Sequence, residues 1–290
     1  MLMVTRMDRA IVELTGRDRV RLLHGLSTND VFLLATGRPG GTFAKGERPD
    51  LATTPAGRGH YGTTVSRQGK MIAEYKVRLL EDRIWLETAR AAVAPLMAAL
   101  NASIIMDDVT VTDRSGHFDF YRVDGDRSRE ALGAPELAPL HFAPVGGMYV
   151  SPFAMTALPG YDAWMPAGRP FLEPAGDFES WRIDYGFPRW GVDIDSNLLP
   201  VEAGLESLAV SYSKGCYLGQ EVIQRVKTYS EPVKRLVRVE FEEAAKLEPP
   251  LTSLAISPRT GKPVGLAILG KELASPGTKI GRATVQALRF

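Results

Sequence analysis

The stretch SYSKGCYLGQEVIQR, Ser211 to Arg225, holds the single cysteine of a 290-residue chain, bracketed by Gly215 and Gly219. The thiolate is the nucleophile and metal ligand, and a nearby cation favours it over a free thiol's pKa of about 8.5. Lys214, two positions before Cys216, can supply that charge. The glycines free the backbone for φ > 0 or for close approach to a ligand. GQEVIQRV can open a helix whose N-terminal dipole would act in the same direction. The segment suits either a reactive, partner-facing thiol or a buried cysteine that fills space. A nucleophilic cysteine wants a histidine base, and His24, His60, His117 and His141 all lie in unrelated segments. One thiol cannot hold an iron–sulfur cluster alone, since clusters take about four protein ligands.

Other chemistries find less support. GVDIDSNLLPVEAG sets Asp193, Asp195 and Asn197 at alternate positions, but a calcium loop needs Gly sixth and Glu twelfth. Leu198 and Gly204 stand there, so these acids read as turn formers and no metal site is expected. There is no zinc spacing, no P-loop and no dinucleotide fingerprint. The basic run Arg225, Lys227, Lys234, Arg235 and Arg238 reads as a solvated strand face rather than an RNA site. Net charge is +1, from 35 basic and 34 acidic residues, which gives no reason to expect nucleic acid or an anionic membrane as direct partner. No window approaches the ~20 apolar residues of a membrane span. The opening MLMVTRMDRAIVELTG lacks an export-signal pattern, and one cysteine excludes an intramolecular disulfide; the expected compartment is the cytoplasm.

The elements that must position Cys216 follow from periodicity. At about 100–200 residues per domain, the length suggests two domains. AIVELTG, Ala10–Gly16, reads as a strand, and Val20, Leu22, Leu23 and Leu26 as an amphipathic helix. The Gly/Pro-rich stretch from Gly37 to Gly62 reads as a long loop. KMIAEYKVRLL and RIWLETA form a hairpin turning at Glu81-Asp82, followed by a helix kinked at Pro95. Strands DDVTVTDRS and HFDFYRVDG, a short helix, and the strand pair GMYVSPFAMTAL and GYDAWMP complete an α+β domain with antiparallel sheet. DFESWRIDYGFPRWG holds a helix that stops near Gly186. After Pro232 the short alternating runs predict a small β-barrel. The domains expected are 1–228 and 229–290.

KGCYLGQE resembles the signature of the YgfZ family, folate-binding relatives of the glycine-cleavage T-protein, an aminomethyltransferase. LTGRDRVRLLHGLSTNDV, QGKMIAEYKV, WRIDYGFPRWGVDIDSNLLPVEAGL and TGKPVGLAIL resemble further family blocks, so the likeness spans most of the chain. It implies a T-protein-like fold: ferredoxin-like subdomains around a central channel, then a C-terminal β-barrel. It also implies a role in assembly or repair of iron–sulfur client enzymes, tRNA-modifying ones among them, with tetrahydrofolate or another reduced folate as cofactor. Cys216 would be the working thiol and Lys214 its electrostatic partner, while Gln220 and Glu221 shape the loop or cap the next helix.

Within that resemblance, Asp184 sits where the T-protein has the glutamate that grips the pterin, whose amide and amino groups a carboxylate can accept together. Tyr185, Phe187 and Trp190 either stack on the ligand or pack, and Arg182 and Arg225 either meet its glutamate tail or serve structural ion pairs. Where the T-protein has an Asp-Asp pair, the second of which assists methylene transfer, this chain has Ala73-Glu74. That departure, with the cysteine motif, favours an accessory protein over an aminomethyltransferase. A folate-dependent one-carbon transferase using Glu74 is the alternative.

Overall fold

The computed structural model describes residues 2–36, 57–242 and 250–290; residues 37–56 of the Gly/Pro-rich stretch lie outside them. From the N-terminus, β1 (Met3–Met7) and β2 (Arg9–Thr15) lead into α1 (Arg19–Leu26) and α2 (Val31–Thr36). Then come β3 (Arg58–Val65), β4 (Met71–Leu79), β5 (Arg83–Ala89), α3 (Val93–Ala102) and β6 (Thr110–Asp113). A second run supplies β7 (Phe118–Asp124), α4 (Ser128–Leu132), β8 (Ala143–Val145), β9 (Met148–Pro152) and β10 (Gly160–Pro166). Helices α5 (Phe178–Tyr185), α6 (Glu206–Ala209) and α7 (Gln220–Tyr229) precede β11 (Lys234–Phe241), β12 (Ser253–Ile256), β13 (Pro263–Gly270), β14 (Lys279–Ile280) and β15 (Ala283–Gln286).

The strands form three five-stranded sheets, ordered β3-β4-β5-β2-β6, β1-β7-β10-β9-β8 and β12-β13-β11-β15-β14. All their ladders are antiparallel. The first two sheets share one stretch of chain: β1 joins one and β2 the other, with only Asp8 between them. The third sheet is open among the described residues, with β12 and β14 at its ends, where the sequence led us to expect a closed barrel.

Period-two alternation decides which way each strand faces. In β2 and β4, Ala10, Val12, Leu14, Ala73, Tyr75, Val77 and Leu79 pack beneath the helices with Val20, Leu23, Leu96 and Leu100. The opposite faces of the two sheets meet each other, and Ile11 and Trp85 pack on Phe120 and Trp164. That opposed face also carries charge. Glu74, Lys76 and Arg78 of β4, Glu87 of β5, Arg122 and Asp124 of β7 and Asp162 of β10 are all buried there.

Two expectations change in detail. Pro95 does not kink a helix; it lies in the first turn of α3, where its missing N–H costs no intrahelical bond. Arg58 to Gly62, expected as the end of a loop, belongs to β3. Helix α5 ends as its sequence requires: Gly186 adopts φ 96° and its N–H returns to the Arg182 and Ile183 carbonyls. Among the described residues, no helix is long and apolar enough to cross a membrane.

Candidate functional site

A cavity of about 490 Å³ opens where the chain crosses from β1 in one sheet to β2 in the other, closed on one side by α5 and the segment that follows it. Its floor is ionic. Glu74 accepts from Arg9 Nη1 at 2.5 Å and from the Tyr61 hydroxyl. Lys76 Nζ donates to Asp162 at 2.7 Å and to Glu87 at 3.3 Å. Arg78 bridges the same two carboxylates, and Arg122 joins Asp162 to Asp124. Burial pushes the carboxyls of Glu87 and Asp162 up, but Lys76 and the nearby guanidiniums more than offset it and hold both below the usual range. Tyr61 is driven well above its ordinary value by burial and then by the Glu74 charge. The upper wall is apolar, with Phe120, Met155, Phe178, Phe187 and Trp190.

The residues expected to bind a ligand divide. Arg182 and Trp190 line the cavity; Asp184, Tyr185, Gln220 and Arg225 are not among its lining residues. Arg182 is buried and fixed by Glu179, Asp193, the Phe187 carbonyl and Ser253. Asp193 thus holds Arg182, while Asp195 makes the expected turn with Asn197. Asp184 is 0 % exposed, and its two oxygens accept from Arg238 at 2.9 Å and from Arg259. Burial pushes its carboxyl up, and those two guanidiniums bring it below its ordinary value. Arg238 is therefore buried in the ion pair with Asp184 and does not lie on a solvated strand face. Tyr185 packs beside the core that α5 shares with the C-terminal sheet. Arg225 is exposed and pairs with Glu221 one turn away.

The cysteine segment is pinned at both flanks. The Ser211 N–H donates to the Thr28 carbonyl and the Leu218 N–H to the Gly25 carbonyl. Between them Lys214 is buried, its ammonium donating to the carbonyls of His24 and Ser27 at 2.5 Å and of Asn29 at 3.3 Å, 4.7 Å from the Tyr217 ring. The His24 and Ser27 carbonyls end α1, where the helix dipole favours a cation. Gly215 and Cys216 stand exposed at the turn. Gln220 receives the Tyr217 N–H at 3.3 Å and starts α7.

Of the two glycines, Gly219 has φ +79° and a Cβ there would meet the Ser66 carbonyl oxygen at 2.3 Å; Gly215 has open space and no such need. Gly219→Ala should therefore cost on the order of 1–3 kcal/mol. Thermal melts of the variant check it, and an unchanged transition would show that the backbone relaxes freely at this turn.

No family model matches the chain. It is 28% identical over 268 residues to the mouse iron–sulfur cluster assembly factor IBA57, mitochondrial, with 87% of this chain and 68% of the relative covered. A Mycosarcoma maydis homologue of that factor is 25% identical, covering 80% of this chain and 55% of its own. The YgfZ resemblance is borne out. The aminomethyltransferase of Streptomyces avermitilis is 24% identical over 285 residues, covering 79% and 73%. The glycine-cleavage aminomethyltransferase T of Bartonella henselae superposes with TM-score 0.76 at 15% identity, over 99% of this chain and 86% of its own, and shows the fold.

Sequence reasoning did not single out Arg9, Tyr61, Lys76, Glu87, Asp162 or Glu179, all of which line the cavity. For Lys76 and Glu87 the signal was present as charged residues on the polar phase of β4 and β5. On one sheet alone that phase reads as solvent-facing.

Proposed function

We propose that this chain is a folate-binding accessory factor for assembly, maintenance or repair of iron–sulfur enzymes, with Cys216 as its working thiol. The observation that carries the reading is the alignment, over 87% of the chain, with a protein named as an iron–sulfur cluster assembly factor. Residues 1–228 form the folate-binding unit and 229–290 the C-terminal β module. The cavity's volume of about 490 Å³ suits a small-molecule site, for which about 300–1,000 Å³ is usual. Trp190, partly exposed on the cavity wall, provides flat apolar surface for a pterin, so the residues fit a reduced folate. When bound, a reduced folate supplies a carrier for one-carbon units.

The chain's own groups favour the accessory role over transfer. Both oxygens of Glu74 already accept, from Arg9 and from Tyr61, so to act as a base it would have to give up one of those contacts. Cys216, exposed on a pinned loop, is free to meet a thiol-seeking partner. One thiol cannot complete a cluster's ligand set, so any cluster contact is shared with the client or a small thiol.

The test is complementation of a strain lacking its own factor. Wild type should restore cluster-enzyme activity, and Cys216→Ala, equally folded, should restore less than a tenth of it. Full rescue by the alanine variant would take the thiol out of the mechanism. Folate-dependent turnover of an aminomethyl donor, lost in Glu74→Gln, would replace the reading with a transferase.

A further inference from the structure

We infer that Glu179, and not Asp184, is the carboxylate that receives the paired N–H donors of a pterin in this cavity. The inference rests on the folate reading above and concerns which side chain recognises the ring.

A carboxylate offers about four acceptor positions. Asp184 is fully buried, has one guanidinium on each oxygen, and is absent from the cavity wall. Releasing it would leave Arg238, 1% exposed, with only the partly exposed Glu240 as carboxylate partner. Glu74, Glu87 and Asp162 do line the cavity, but their side chains are only 3%, 3% and 8% exposed and each is held by buried cations.

Glu179 differs in each respect. It lies on the cavity wall in the first turn of α5, with its side chain 44% exposed. Its Oε2 accepts from Arg182 Nε at 3.0 Å and Nη2 at 2.8 Å, and Arg182 is itself locked by Asp193, Ser253 and the Phe187 carbonyl. That fixes the carboxylate's orientation. Its Oε1 accepts from Arg189 Nη1 at 2.9 Å, and Arg189 is 50% exposed. A pair this exposed has small net worth, so a ligand displaces Arg189 at little cost. Oε1 then offers acceptor positions in a cavity that Trp190 also lines, a setting for a flat ring with adjacent ring and amino N–H groups.

Calorimetric titration of tetrahydrofolate tests this on four proteins: wild type, Glu179→Gln, Asp184→Asn and Arg189→Met. Glu179→Gln should weaken binding about 10- to 100-fold, the range for a hydrogen bond to a charged group. Asp184→Asn, if its melt shows it folded, should bind within about threefold of wild type. Arg189→Met should bind as well as wild type or better, because it removes the competitor and leaves the acceptor. A tetrahydrofolate analogue lacking the 2-amino group should lose affinity for wild type and little for Glu179→Gln. Failure of wild type to bind overturns the folate reading and this assignment with it. Binding by wild type and Glu179→Gln alike overturns the assignment alone, as does an Arg189→Met loss equal to that of Glu179→Gln.

Discussion

Replacing Arg78 with methionine should cost about 3–5 kcal/mol of unfolding free energy, the usual result of breaking a buried ion pair from one side. Arg78 is 0% exposed and donates to the Leu140 carbonyl at 3.0 Å, Ser151 Oγ at 2.6 Å, Glu87 at 2.8 Å and Asp162 at 3.1 Å. Its guanidinium also lies 4.7 Å from the Trp164 ring. Around it, Arg9, Lys76, Arg78 and Arg122 meet Glu74, Glu87, Asp124 and Asp162, so four cations balance four carboxylates between two sheets. Methionine keeps most of the volume, so the loss reports charge and hydrogen bonding rather than a void. Urea unfolding at pH 7 measures it, and a loss under about 1 kcal/mol would mean that Lys76 and Arg122 relax to cover both carboxylates.

The sign with pH follows from the direction of the carboxyl shifts. Glu87 and Asp162 are held below their ordinary values, so the unfolded chain binds protons more readily than the folded one as pH drops. Their contribution is complete above the ordinary carboxylate range and is lost as pH falls through the lowered, folded-state values. The gap between wild type and Arg78→Met should therefore narrow in acid.

This network also marks the boundary of what could be read from the sequence. The hairpin at Glu81-Asp82, the stop at Gly186 and the four β runs after Pro232 are set by local chemistry, and the structure has each of them. Glu74, Lys76 and Arg78 alternate with Tyr75, Val77 and Leu79, a pattern that ordinarily means one face in and one face out. Here both faces are in, because Asp162 of β10 presents the complementary charge to Lys76 and Arg78 from more than 80 residues away in sequence. No local window holds that information. For the same reason Lys214 read as a partner of its neighbour Cys216. Its ammonium instead takes acceptors some 185 to 190 positions earlier. The local sequence left Cys216 either displayed or buried, and the structure has it exposed.

Lys214→Met should remove a pH dependence that wild type displays. Burial pushes the Lys214 ammonium from its usual 10.5 down to about 7, with Asp30 opposing in part. Between those two values the unfolded chain carries a proton that the folded chain has released, so wild-type stability rises with pH across the window. Below about pH 7 the full cost of burying the charge is present, offset by the three carbonyls that accept from it. Neighbouring groups do not titrate there: burial pushes His24 to about 4 and His60 to about 3, and raises Tyr217 to about 12. Methionine carries no charge to release and leaves the carbonyls of His24, Ser27 and Asn29 without this donor. The variant should therefore lie near wild type at pH 6 and fall behind by about 2–4 kcal/mol at pH 10. The same linkage acts on the loop itself. Opening it returns Lys214 to water, so the Ser211 and Leu218 amides should exchange more slowly, after correction for intrinsic rates, as pH climbs from 7 toward 10. Parallel stability curves for wild type and Lys214→Met would show that the lysine keeps its proton across the range, held by its three acceptors, and that the loop around Cys216 is not linked to pH.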